Sequence, residues 1–144
     1  MIDDQDMAIR QANQPISIEA PTEHERAEIA RLNDELRQRP GARCVFTHGV
    51  MAMLVEGAKD EGDAQCRRIV GQRALLTQIA NCVPAEGDDP YGERDFAAIV
   101  YNDAKIFCKI DYFEADSERM YGSAEPWNAE KTDRVMTVML ADEY

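Results

Sequence analysis

Apolar residues recur along the chain with two different periods, and the change from one to the other outlines the elements. From Thr22 the spacing is helical, with Ile29, Leu32 and Leu36 falling on one face. That helix has a readable start, because Thr22 and Glu25 stand at capping-box spacing and each side chain can satisfy a free backbone donor at the other. It has a readable stop in Arg39-Pro40-Gly41. The period then shortens to two over "ARCVFTH", which predicts a short strand with Cys44, Phe46 and His48 on one side and Arg43, Val45 and Thr47 on the other. The segment from Gly49 to Leu54 fits either a longer strand or a helix. Past the polar "EGAKDEGD", a second helix is predicted from about Ala64 to Asn81, with Cys66, Ile69, Leu76, Ile79 and Ala80 as its apolar stripe and Arg67, Arg68 and Arg73 on its outer face.

The clearest pattern follows. "DFAAIVY" and "AKIFCKIDYF" flank Asn102-Asp103, a two-residue loop of the polar type that tolerates positive φ, so a β-hairpin is predicted. Its register sets Ala97 and Ile99 beside Ile106, Cys108 and Ile110, with Phe96 and Val100 near Phe107 on the other face. Both faces are apolar, which places the pair inside a sheet with cover on both sides. "RVMTVML" is rich enough in β-branched residues for a last strand. The expected fold class is α+β: a mostly antiparallel sheet of about four strands with a central hairpin, packed by two helices. Residues 1–21 are polar, hold two prolines and keep no period, and are expected to form a disordered acidic arm before a single domain at 22–144.

Composition changes this picture little and charge changes it more. A chain of 144 residues suits one core without metal or disulfide staples. Cys44, Cys66, Cys82 and Cys108 form no CxxC pair and read as reduced thiols, and the acidic "MIDDQDMAIR" lacks the basic and apolar regions of a signal peptide. No apolar run reaches membrane-spanning length, so a cytoplasmic location is expected. The net charge is −12, a field that repels phosphate backbones and anionic lipid, which argues against direct binding to nucleic acid or membrane. The acid is uneven: residues 1–30 carry −5, 31–83 carry +2, 84–95 carry −4 and 96–144 carry −5.

The densest acid lies in "EGDDPYGERDF", where Glu86, Asp88, Asp89, Glu93 and Asp95 surround two glycines and a proline. The order is wrong for a calcium loop, and no His or Cys nearby marks zinc or iron, so no metal and no cofactor are expected. The stretch reads as a solvated turn whose acids cap or pair locally. Asp95 is the exception, because it opens a strand on the face of Ile110, where burial raises a carboxylate pKa. "HERAE" misses HExxH since Glu28 stands at the second His, and Cys44 and His48 are roughly 13 Å apart on a regular strand, too far for a dyad. Cys108 reads as a small core hydrophobe. Nucleotide-loop and hydrolase signatures are absent.

"IARLNDELRQ", "THGV", "DDPYGERDF", "IFCKIDYF", "YGS" and "RVMTVMLADEY" together resemble a bacterial family known as domain of unknown function 3768. Members often carry His at position 94, Gly at 97 and Trp at 108, where this chain has Arg94, Ala97 and Cys108, and the 55–83 region matches poorly. The resemblance implies a small bacterial protein often encoded with mobile-element genes, and it brings no activity or catalytic residues. With the acidity, it leads to the expectation of a non-enzymatic interaction protein that docks on a basic protein surface. In the sharper version it mimics nucleic acid and inhibits a host defence complex, anti-CRISPR or anti-restriction. At one charge per ~1.7 Å of duplex axis, twelve charges match roughly 20 Å of DNA. The expected surface residues are Asp88, Asp89, Glu93, Asp95, Asp111, Glu114 and Asp116. One alternative is a small metal-dependent hydrolase or nuclease using Asp88, Asp89, Glu93 and Asp95 with His48 as acid/base. Another is a structural or regulatory homodimer through the second face of the hairpin.

Overall fold

A computed structural model of the chain describes residues 20–144, so nearly all of the expected N-terminal arm lies outside the described residues. Helix α1 spans Glu23–Gln38 and starts as its sequence predicts. Thr22 Oγ1 accepts the Glu25 N–H at 3.1 Å, and Glu25 Oε1 accepts the Thr22 N–H at 2.8 Å. Its buried face is Ile29, Asn33, Leu36 and Arg37. Leu32, expected on that face, is only half-buried at its margin.

Strand β1 is shorter than expected, Cys44–Phe46, because Thr47 takes the chain out of the sheet. Thr47 is the N-cap of a helix, α2 (His48–Val55), its Oγ1 accepting the Val50 N–H at 3.3 Å. His48 is therefore an exposed first-turn residue of a helix and has no place on a strand face. Glu143, from a 3-10 turn at Ala141–Glu143, closes over this helix start. Its Oε1 accepts the Thr47 hydroxyl at 2.7 Å and the Leu140 N–H at 2.8 Å, and these bonds hold its carboxyl below the usual range. Gly49 leaves room for this carboxylate, since a Cβ there would stand 2.6 Å from Glu143 Oε1 and make it shift.

Helix α3 spans Glu61–Asn81, capped by Asp60. Its buried residues are Ala64, Gly71, Leu75 and Ile79, whereas Cys66 is exposed and Ile69 is 49% exposed. The expected stripe was thus rotated. Small residues turn inward where α3 meets α2: a Cβ on Gly71 would fall well inside van der Waals contact with Leu54. Among the described residues there are three α-helices, one more than the pattern predicts, because Gly49–Leu54 is part of α2.

The sheet is mixed, in the order β1-β4-β3-β2. Strand β2 (Phe96–Tyr101) and β3 (Ala104–Glu114) form the predicted hairpin, with Asn102 at φ 49° and Asp103 at φ 63°. Strand β4 (Thr132–Leu140) runs antiparallel to β3 and parallel to β1, Cys44 lying beside Met136. Leu36, Val50, Leu54, Leu75 and Ile79 from the helices pack on one sheet face, made by Ala97, Ile99, Ile106, Cys108, Ile110, Met136 and Val138. Burial pushes the Cys108 thiol up to about 12 and that of Cys44 up to about 11, so both behave as apolar packing atoms.

The expectation of cover on both sides of the hairpin is corrected. Strand β2 is an edge, and its residues alternate between buried and exposed, with Val100 62% exposed. Aromatic residues on the second face satisfy one another instead. Phe96 and Phe107 meet edge-on at 4.9 Å, and Tyr144 stands 5.9 Å and 5.8 Å from them.

Candidate functional site

The acidic stretch forms a 3-10 turn at Glu86–Asp88 and then a tight turn in which the Gly92 N–H bonds the Asp89 carbonyl at 3.2 Å. Gly92 has φ +69° and Arg94 has φ +59°, so the chain bends twice before entering β2. Asp89 stabilises the second bend, its Oδ1 accepting the Arg94 N–H at 3.0 Å. The Arg94 side chain is held by α1, donating from Nε to Asp34 Oδ1 at 2.6 Å. Tyr91 is also tied to α1, with the Arg26 guanidinium 5.3 Å from its ring centroid.

The loop sets its carboxylates in different surroundings. Asp88 is exposed. Glu93 and Asp95 are half-buried, and Asp95 joins the ladder through its carbonyl, which accepts the Ile110 N–H at 2.8 Å. Burial first, then the Asp95 charge, raises the Glu93 pKa. Burial first, then the charges of Asp89 and Asp111, raises that of Asp95. A carboxyl whose folded pKa exceeds its unfolded value binds its proton more tightly in the folded chain, so stability falls as pH rises through that window. Asp95→Asn is expected to raise the melting temperature at neutral pH, with the gain vanishing as pH falls to the ordinary Asp value of 3.8. Thermal melts across that range check it, and a gain independent of pH would assign the effect to packing.

Behind the loop sits a buried polar network that sequence patterning did not single out. Asn33, fully buried on α1, donates from Nδ2 to Tyr112 Oη at 2.8 Å and to the Glu93 carbonyl at 2.9 Å. Its Oδ1 accepts Arg134 Nε at 3.0 Å. Arg134 also donates to the Pro126 carbonyl and lies 5.0 Å from the Tyr112 ring centroid. The Tyr112 hydroxyl reaches Glu93 Oε2 at 3.4 Å, and burial pushes its pKa up. The signal that was available is Asn33 itself, a polar residue four positions from Ile29 on the apolar face.

In front of the loop, on the sheet face away from the helices, runs a groove of about 630 Å3. Asp88, Asp95 and Asp111 are among the residues that line it, together with the aromatic residues Tyr91, Phe107 and Tyr144. Lys105 and Lys109 also line it, Lys109 pairing with Asp111 at 3.2 Å. Four predicted surface acids, Asp88, Asp89, Glu93 and Asp95, thus share the loop, with Asp111 beside them. Glu114, the last residue of β3, and Asp116 just beyond it line a second cavity of about 400 Å3 with Glu125, Glu130 and Lys131. His48 is on neither site. It follows β1, the opposite edge of the sheet from β2, roughly 14 Å away by strand spacing alone. Among the described residues no group of three His, Cys, Asp or Glu side chains has a geometry to hold a metal ion, and no helix is long and apolar enough to cross a membrane.

The family model described as "Protein of unknown function (DUF3768)" matches residues 46–143, and the chain belongs to that family. No curated protein and no solved structure matches it. Helix α1, which supplies Asn33, precedes the matched span.

Proposed function

We propose that this family member is a non-enzymatic interaction protein whose groove receives a basic segment of a partner protein. The observation that carries this reading is the convergence of Asp88, Asp95 and Asp111 with Tyr91, Phe107 and Tyr144 in one groove. Carboxylates accept a guanidinium fork through paired charge-assisted bonds, and aromatic faces attract the same cation while shielding it from water. Lys109 holds the place of an incoming cation by pairing with Asp111, and a partner arginine displaces it. In the sharper form the partner handles nucleic acid in a host defence complex, and the acids stand where phosphates would. The net charge of −12 supports that step, as does the mobile-element association that the family resemblance implies.

The test is titration with arginine-rich peptides at two salt concentrations, on the native chain and on an Asp88→Asn, Asp95→Asn, Asp111→Asn variant. Binding is expected to weaken steeply with salt and to fall at least about tenfold in the variant, the loss of one or two charge-assisted bonds. Affinity unchanged by salt, or equal in the variant, would reject the reading. A hydrolase reading has less support, since His48 stands apart from the acids. A homodimer through the open hairpin face is separated from peptide docking by sedimentation, which would then find a dimer that peptide does not disperse.

A further inference from the structure

An acidic chain also holds a cavity of the opposite sign. Between the C-terminal turn of α1, the 3-10 turn Gly41–Arg43 and the loop before β4 lies a cavity of about 340 Å3, lined by the guanidinium-bearing residues Arg39, Arg43 and Arg134. Its one carboxylate, Glu35, is already engaged by Arg31 at 3.3 Å. Among the described residues no carboxylate stands within ion-pair distance of Arg39, Arg43 or Arg134. Arg31, Arg37, Arg67, Arg68, Arg94 and Arg119 each have one, while Arg26 and Arg73, which do not line the cavity, have none among the described residues.

Arg134 is the informative member. It is 3% exposed, and a buried charge without a counter-charge is costly enough that an apolar residue of similar volume would ordinarily serve better. Its guanidinium is nonetheless fixed in place by Asn33, the Pro126 carbonyl and the Tyr112 ring. Nε and Nη2 are used in those bonds, while Nη1 donates to no group among the described residues and is not among their fully enclosed unpaired atoms. Burial pushes Arg134 below the usual guanidinium range, with the Arg43 charge acting in the same direction and Tyr112, Glu28 and Glu93 acting against it; a bound anion would offset the Arg43 repulsion. The remaining wall is largely apolar, from Leu32, Leu36 and Pro40. Ligand pockets start at about 300 Å3, so the cavity admits a small molecule and no more.

We propose that this cavity binds a small organic anion, its phosphate or carboxylate group held by Arg39, Arg43 and Arg134 and its apolar body against Leu32, Leu36 and Pro40. A preoriented guanidinium loses little freedom on binding, and its planar fork matches either oxyanion. This site is separate from the acidic groove and does not depend on what the groove binds.

The experiment is calorimetric titration of the full chain with inorganic phosphate, phenyl phosphate and benzoate, followed in parallel by the arginine Nε–H resonances. Phenyl phosphate or benzoate is expected to bind more tightly than inorganic phosphate and to move the Arg134 resonance. A preference for phenyl phosphate identifies a phosphate ligand, and a preference for benzoate a carboxylate. Arg39 and Arg43 are exposed, so the Arg39→Gln, Arg43→Gln variant keeps the fold, and it is expected to bind about tenfold more weakly. Arg73→Gln, on the exposed face of α3, should bind as the native chain does, and so should the variant neutralised at Asp88, Asp95 and Asp111. No saturable binding of any of the three probes, or equal binding by the Arg39→Gln, Arg43→Gln variant, overturns the proposal.

Discussion

Asn33→Leu is expected to lower the unfolding free energy by on the order of 3–5 kcal/mol, each buried polar group left without a partner costing about 1–3. The substitution keeps the apolar bulk of the position and removes only its hydrogen-bonding ends. Arg134 Nε then loses its acceptor, and Tyr112 Oη and the Glu93 carbonyl lose their shared donor. The position is fully buried, so solvent does not replace them. Arg134 makes the loss severe, because its charge has no carboxylate to fall back on. Urea unfolding measures the effect as a fall in midpoint. Tyr112→Phe, which deletes a single hydroxyl, is expected to cost about 1 kcal/mol. If Asn33→Leu cost no more than that, the network would be a coincidence of packing.

Leu75→Ala is expected to cost about 2–5 kcal/mol, and Ile69→Ala, on the same helix, to change stability by about 0.5 kcal/mol or less. Leu75 has no exposed surface and packs in the core with Val50 and Leu54, whereas Ile69 is half exposed. Truncating Leu75 leaves a cavity where α2, α3 and the sheet meet, and a close-packed interior closes such a cavity only in part. Thermal or urea melts of the two variants decide which way α3 faces. Similar losses from both would restore the stripe that the sequence pattern suggested.

That comparison explains why some of the fold was legible and some was not. The capping box at Thr22 and the paired positive-φ residues at Asn102-Asp103 are local chemistry, complete within a few residues, and both stand where patterning put them. Helix α3 carries apolar side chains around much of its circumference, so the face it buries is chosen by fit against α2. That fit favours Ala64 and Gly71, which an apolar count ignores. The short α2 depends on a cap from Thr47 and on Glu143, ninety-six positions away. The second face of the hairpin looked buried because it is aromatic, yet its rings pack largely on each other and on Tyr144, a residue no local pattern links to them. Of the site, the crowding of acids in the Glu86–Asp95 loop was legible, and the place of Asp111 beside them was not. Their aromatic partners and the Asn33 network were not, since both are assembled from elements far apart in the chain.

The strand order also governs the sequence of assembly. The hairpin closes through a two-residue turn, a microsecond event that needs nothing else. Strand β4 fills the centre of the sheet, between β3 and β1, yet it is the latest strand to be synthesised. The Cys44–Met136 pairing closes a long loop whose entropy is repaid only when the rest of the core is in place. While the chain is on the ribosome, α1, β1, α2 and α3 therefore wait without the strand that joins them to the hairpin. A nascent chain halted before Thr132 lacks the central strand and leaves uncovered the apolar surface that Met136 and Val138 complete, the kind of surface that chaperones recognise.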